Sequence, residues 1–458
     1  MLEKVKNIAL EKIFVITALF FGLLYVFILP PFQSVDEGTH FYRTYQISEG
    51  RFLAQNIDGR VGDDLPEVLS EFYNLYRPFI KNIDEKTNVD NIKRDFRLKL
   101  DKNKTVYTEF VNTALYSPVC YISQLPGVLI GKALNLPLSI IYYFGRLSNL
   151  IAYCLLVFFA IRITPFFKMP MMLLALMPMS LSLAGSYTCD VAVLGFNFLW
   201  IAFILKALTS DCVKKKDIAI LSCLAFLITL TKSYILLLPL IFLMPVKIFR
   251  SKKNYFVSIL VILLSIVIGG LIWYLASRGL NLNMGNAGAD PDAQVELIKS
   301  NPLFYAGVLL KTFFVKTPRL FITMIGVLGW QDVELDWITY IIYPIIMYFA
   351  VFSDGFKFCL QRWQKVIIIL TIIAGIILTY TGLYIMWTPV GNSVVMGLNG
   401  KYFIPLVMPL LLLFKNSKYD YEKVKLFIIL AVILILFSSE LSLLHRFYNL
   451  TPQLYYKI

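Results

Sequence analysis

The sequence predicts an all-α polytopic membrane protein with about 11 transmembrane helices, and three observations carry that prediction. Apolar runs of membrane-spanning length recur from end to end of a 458-residue chain that is 58% hydrophobic and 15% aromatic. The Lys and Arg behind a formal net charge of +14 sit mainly in the short loops between those runs, so the charge reads as membrane topology and no nucleic-acid partner is expected. Ionisable side chains are almost absent from the runs themselves, Arg146 in YYFGRLSNL being the clear exception.

The elements follow in order. The first run, Ile13 to Pro31, is long for a signal-peptide core and ends in PPFQS without a small-residue cleavage pattern, so it reads as a retained anchor. Placing Lys4, Lys6 and Lys12 in the cytoplasm sends this run outward and makes residues 32–137 a first external loop. Within it, EVLSEFYNLYRPFIKNI (67–83) has the pattern of an amphipathic surface helix, and the run 116–134 lies at the surface. If that run crossed instead, every later basic loop would fall outside. The crossings are then 138–161, 169–188, 190–207, a tight hairpin of 218–231 and 233–246, 255–277, 338–353, 365–386, 402–414 and 424–440. This threading gathers Arg162, Lys168, Lys206, Lys214 to Lys216, Lys247, Arg250, Lys252, Lys253, Lys357, Arg362, Lys365, Lys415, Lys418, Lys423 and Lys425 on the cytoplasmic side. A second long external loop covers 278–337, and residues 1–458 form one integral membrane domain.

The six cysteines show no metal-ligand or redox spacing, and there is no Gly-rich phosphate loop or internal repeat. Chemistry must therefore come from charges at the membrane edge. Asp36 and Glu37 follow the first run directly, where a loop is held most firmly; one such carboxylate can act as general base while its neighbour orients it or holds a metal. Ser34 with Glu37 also matches a capping box opening a helix through His40 to Gln46. Asp190, in GSYTCDVAV, falls at the same face, with Ser186 or Thr188 as a cap for the next helix. Lys232, Lys316, Arg319 and Lys401 form a basic set at that face, suited to a phosphate headgroup. The aromatic residues Tyr234, Trp330, Trp387 and Tyr402 match an interfacial belt.

The stretches PPFQSVDEGTHFYRTYQI (30–47), NTALYSP (112–118), GRLSNL (145–150), GVLGWQD (326–332) and GKYFIP (400–405) resemble the signatures of a bacterial multi-pass membrane-protein family catalogued as domain of unknown function 2142. Val35 and Gly38 stand where that pattern has proline, and Lys401 where it has arginine. The family is in turn similar to the GT-C superfamily of polyprenyl-phosphate-sugar-dependent glycosyltransferases, with an acidic residue just after the first span and juxtamembrane helices in the first external loop. The resemblance implies transfer of a sugar from a polyprenyl-phosphate donor to an extracytoplasmic acceptor at the cell membrane. Asp36 and Glu37 would be catalytic, and Asp190 and His40 would position the acceptor or a divalent cation; no other cofactor is implied. Arg146, Lys232, Lys401 and Arg43 would bind the donor phosphate. The alternatives are a lipid-linked oligosaccharide polymerase or ligase, and a lipid or polysaccharide transporter; the one-sided placement of the acids weighs against the latter.

Overall fold

A computed structural model describes residues 9–231, 235–280, 288–353, 358–415 and 424–448. Lys4, Lys6, Lys232, Tyr234, Lys357, Lys418 and Lys423 lie outside the described residues. Among those described, six helices are long and apolar enough to cross a membrane: α1 (Leu10–Ile28), α7 (Leu138–Ile163), α10 (Asp190–Leu208), α12 (Lys252–Ser277), α16 (Arg362–Met386) and α18 (Lys425–Phe447). Trp337–Ala350 and Gly400–Leu412 are shorter apolar helices.

The other expected crossings fall on broken or short segments, for local reasons. The run 169–188 is split into α8 (Lys168–Leu176) and α9 (Pro178–Ala184), because Pro178 offers no amide and holds Met177 in an extended conformation. The hairpin becomes the 15-residue α11 (Lys215–Thr229) and a 3-10 segment, Ile235–Leu243, with Pro239 inside it. At the far end α18 continues past 440 to Phe447, which brings Glu440 inside a helix.

The basic loops meet at one end of the bundle. There Val213 donates its N–H to the Ile248 carbonyl (2.9 Å), the Phe166 and Phe358 rings stack (4.7 Å), and the Lys415 ammonium reaches the Val351 carbonyl (3.2 Å). The opposite end carries Asp36 and the large first loop. That loop is not purely helical. Between α2 (Glu37–Ser48) and α3 (Glu67–Tyr76) the strands β1 (Gln55–Ile57) and β2 (Arg60–Pro66) form an antiparallel hairpin. Beyond α4 (Val89–Asp95), β3 (Thr105–Glu109) pairs with β2 in the register Gly62↔Glu109, completing a three-stranded sheet. α5 (Val111–Ala114) follows, and α6 (Leu125–Ala133), at 9 residues, is too short to cross and packs on α7 and α2.

The 67–83 stretch is helical from Glu67 to Phe79, short of the expected end, and its apolar side faces the loop's own core. Leu69, Phe72 and Tyr76 pack with Phe32, Phe41, Tyr142 and Tyr187 in an aromatic cluster roofing the bundle. The 278–337 region, read from sequence as a loop, holds α13 (Pro291–Ser300), the 25-residue α14 (Pro302–Gly326) and a hairpin of β4 (Val327–Leu328) and β5 (Val333–Glu334). α15 (Trp337–Ala350) and α17 (Ile404–Leu412) complete the chain's helices among the described residues.

Candidate functional site

The site is built where α1 ends. Two prolines stop the helix, and Phe32 then takes a left-handed conformation (φ 63°) that buries its ring among Phe41, Phe72, Tyr73, Tyr76 and Tyr142. Its N–H donates to the Tyr142 hydroxyl (3.0 Å), and its carbonyl accepts the Trp330 indole N–H (2.9 Å) from the β4–β5 hairpin. Gln33 donates to the Tyr76 carbonyl (3.0 Å). The PPFQ and GVLGWQD stretches thus hold one another across 298 residues of chain.

Asp36 is the next left-handed residue (φ 61°, ψ 11°), a conformation that Asp tolerates better than bulky residues but that still costs energy. Its carbonyl accepts the His40 N–H (3.1 Å) and the Thr39 hydroxyl (2.9 Å), starting α2. Its half-buried carboxylate makes no hydrogen bond or ion pair among the described residues. Tyr73 lies beside it: burial pushes that phenol above its ordinary value and the Asp36 charge pushes it further, against the pull of Arg77.

Glu37 does something different from what its position suggests. It is fully buried and faces Arg146, also fully buried, in a bidentate pair: Nε to Oε1 at 2.8 Å and the Nη2 amine to Oε2 at 2.7 Å. The carboxylate also accepts the Tyr187 N–H (2.9 Å) and the Ser34 N–H (3.3 Å), the latter being half of the expected capping box. The Arg146 guanidinium spends its remaining hydrogens on the carbonyls of Val26 (2.9 Å), Leu29 (2.7 Å) and Pro30 (3.1 Å), which the proline-terminated helix leaves without donors. Arg146 and Glu37 therefore clamp the end of α1 to α7 and α10. Neither is open to a donor phosphate or an acceptor, contrary to the roles the sequence suggested, since every strong donor and acceptor is already used.

Arg43 is likewise buried away from ligand. It binds Gln46, the Phe52 carbonyl (2.7 Å) and the Tyr116 carbonyl (3.2 Å), while its Nε lacks a partner among the described residues and burial lowers its pKa. His40 is buried under Tyr116 and bonds the Tyr121 hydroxyl through Nδ1 (3.0 Å), so it is a core histidine at this end of the bundle. Lys232 lies outside the described residues.

Asp190 and Lys401 come together. Asp190 opens α10, its N–H capped by the Thr188 hydroxyl (3.1 Å) as the sequence suggested, and its carboxylate meets the Lys401 ammonium at 2.8 Å. The turn before it touches the Asp36 segment directly: Ser186 donates to the Ser34 hydroxyl (3.3 Å), and Tyr187 donates to Glu37. Asn149 of the GRLSNL stretch ties this turn to α7 through the Ser186 carbonyl (2.8 Å). Asp36, Asp190 and Lys401 thus share one end. Among the described residues no group of three or more His, Cys, Asp or Glu side chains could hold a metal ion. With Glu37 spent on Arg146 and Asp190 on Lys401, the acids do not fit the divalent cation expected of them.

Sequence reasoning missed two features. Asp332, in GVLGWQD, pairs with Arg446 at 2.7 Å, and Arg446 also reaches the Phe79 carbonyl (2.9 Å), tying the last helix to the first loop. Glu440 is buried with both carboxyl oxygens unpartnered among the described residues. Its signal was an acid inside LFSSELSLL, visible once the span is not ended at 440.

The helices and their loops define a multi-pass integral membrane protein with a rigid acidic site at the end opposite its basic loops. The chain belongs to the family described as predicted membrane protein (DUF2142), which covers residues 19–410. No curated protein and no solved structure matches it.

Proposed function

We propose that the protein is an inverting glycosyltransferase of GT-C type that uses a polyprenyl-phosphate-linked sugar at the extracytoplasmic face of the cell membrane. On this reading the chain crosses about eleven times, the short and broken segments completing the count, with the basic end in the cytoplasm. The observation that carries the reading is Asp36: a half-buried carboxylate unpaired among the described residues, on a left-handed residue, held by the buried Glu37–Arg146 clamp at the same end as Asp190 and Lys401. Strain kept at one residue by an over-determined surround is the form functional sites take.

Asp36 accepts the proton of the acceptor hydroxyl as that oxygen attacks the anomeric carbon from the face opposite the phosphate. The bond from sugar to phosphate oxygen breaks, and polyprenyl phosphate leaves with the electron pair. Lys401 supplies positive charge for the phosphate as its charge grows, with Asp190 setting where the ammonium sits. Glu37, Arg146 and Arg43 are positioning residues.

The test is transfer from a synthetic polyprenyl-phosphate sugar by purified, reconstituted protein. Asp36→Asn is expected to lose about 10²- to 10⁴-fold in turnover with unchanged thermal stability. Full turnover by a folded Asp36→Asn would overturn the assignment. Transfer that requires a long glycan on the donor would instead identify a polymerase or ligase.

Glu440 favours a second reading, a coupled lipid or polysaccharide transporter, because a carboxyl buried in a membrane-spanning helix, here unpaired among the described residues, is what coupling sites use. Lipid-linked sugar movement that is lost in Glu440→Gln yet indifferent to Asp36→Asn would select it.

A further inference from the structure

We infer that α14 does not cross the bilayer but lies in its plane on the Asp36 side, with one apolar face in the acyl chains. A 25-residue helix is about 37 Å long, enough to span, so its contacts must decide. Near its start, Tyr305 bonds Thr381 (2.5 Å) and stacks on Tyr384, in the last two turns of α16. Near its end, Thr323 accepts the Gly400 N–H (3.0 Å), and Gly400 leads to Lys401 and Asp190. Both ends of α14 therefore rest on segments at the same end of the bundle; a crossing helix would have to bring one of them to the basic loops.

Its two faces agree. Val308, Thr312, Leu320 and Thr323 are buried, with Val395 donating its N–H to Thr312 (3.0 Å), so one face carries the 388–400 segment. On the opposite face Leu303 (85% exposed), Leu310 (62%) and Phe314 (73%) recur at seven and four residues and stay exposed among the described residues. The helix bears Lys311, Lys316 and Arg319 and no acid, which excludes it from the most apolar spans; Lys311 donates to the Ser393 hydroxyl (2.9 Å) and Arg319 pairs with Glu334 (2.5 Å), polar ties that suit a helix at the bilayer surface. The consequence is that the Asp190–Lys401 pair is held at headgroup depth. This inference stands whatever reaction the site performs.

The test is depth-dependent quenching in reconstituted vesicles. An environment-sensitive fluorophore is placed at Phe314→Cys, or independently at Leu310→Cys, in a Cys212→Ser, Cys223→Ser, Cys359→Ser background, with the unsubstituted background as labelling control. Leu264→Cys in the middle of α12 serves as the deep reference and Lys299→Cys in α13 as the aqueous one. Quenching at 314 and 310 is expected to be at least twofold stronger from lipids spin-labelled near the headgroup than from those labelled near the chain end, the reverse of position 264. Depth equal to that at 264 would make α14 a crossing helix. Iodide quenching equal to that at 299 would place it in water. Either result overturns the inference.

Discussion

Substitution of Glu37 by Gln is expected to act on stability before chemistry. The change leaves the Arg146 guanidinium, fully buried, beside a neutral amide that can still accept from Tyr187 but no longer balances the charge. Breaking one side of a buried ion pair costs about 3–5 kcal/mol. Arg146→Met strands the Glu37 carboxylate by a similar amount and also frees the Val26, Leu29 and Pro30 carbonyls. Glu37→Gln with Arg146→Met removes both charges, so the double variant should lose less than the sum of the singles, with a coupling of about 3 kcal/mol. Unfolding in mixed detergent micelles, followed by far-ultraviolet circular dichroism, reads all three. Singles within about 0.5 kcal/mol of wild type, or a strictly additive double, would refute the clamp; a stable Glu37→Gln without turnover would return Glu37 to the chemistry.

Gly400→Ala should separate Lys401 from its place, since an added Cβ would lie 2.1 Å from the Leu320 carbonyl and 2.2 Å from the Met324 nitrogen, both α14 backbone; a loss of about 1–3 kcal/mol in the same unfolding assay checks it. Arg446→Met should loosen the first loop from α18, read as faster proteolysis within 79–95 while α7 stays protected. The Glu49–Lys132 tie between α2 and α6 should weaken in acid. Burial alone would raise the Glu49 pKa, but the Lys132 bond wins and holds it below 4.5, so its contribution is complete above that value and is lost as pH falls through the lowered one. Hydrogen exchange at the end of α2 should therefore quicken as pH falls below the ordinary carboxylate range and be indifferent to pH in Glu49→Gln.

Much of the fold was legible because membrane insertion depends on local composition. The runs at 138–161, 190–207, 255–277 and 365–386 needed only their own residues to be recognised, and the helices found there start and stop within a few positions of them. The break in the 169–188 run was not legible, because there one proline changed its neighbour's backbone. Nor was α14 within 278–337, because an amphipathic helix with three bases scores as a loop by hydropathy.

By itself the sequence determined that this is a membrane protein and where several of its long apolar helices run. Those properties follow from the transfer free energy of each residue, which needs no partner. Only the tertiary structure decided what the charges do. Glu37 meets Arg146 across 109 residues, leaving its neighbour Asp36 unpaired among the described residues, and Asp190 meets Lys401 across a still longer interval. Whether a charged side chain is a clamp or a reactive group depends on which counter-charge folding brings within about 3 Å and how much water remains beside it, and neither is a property of the residue alone.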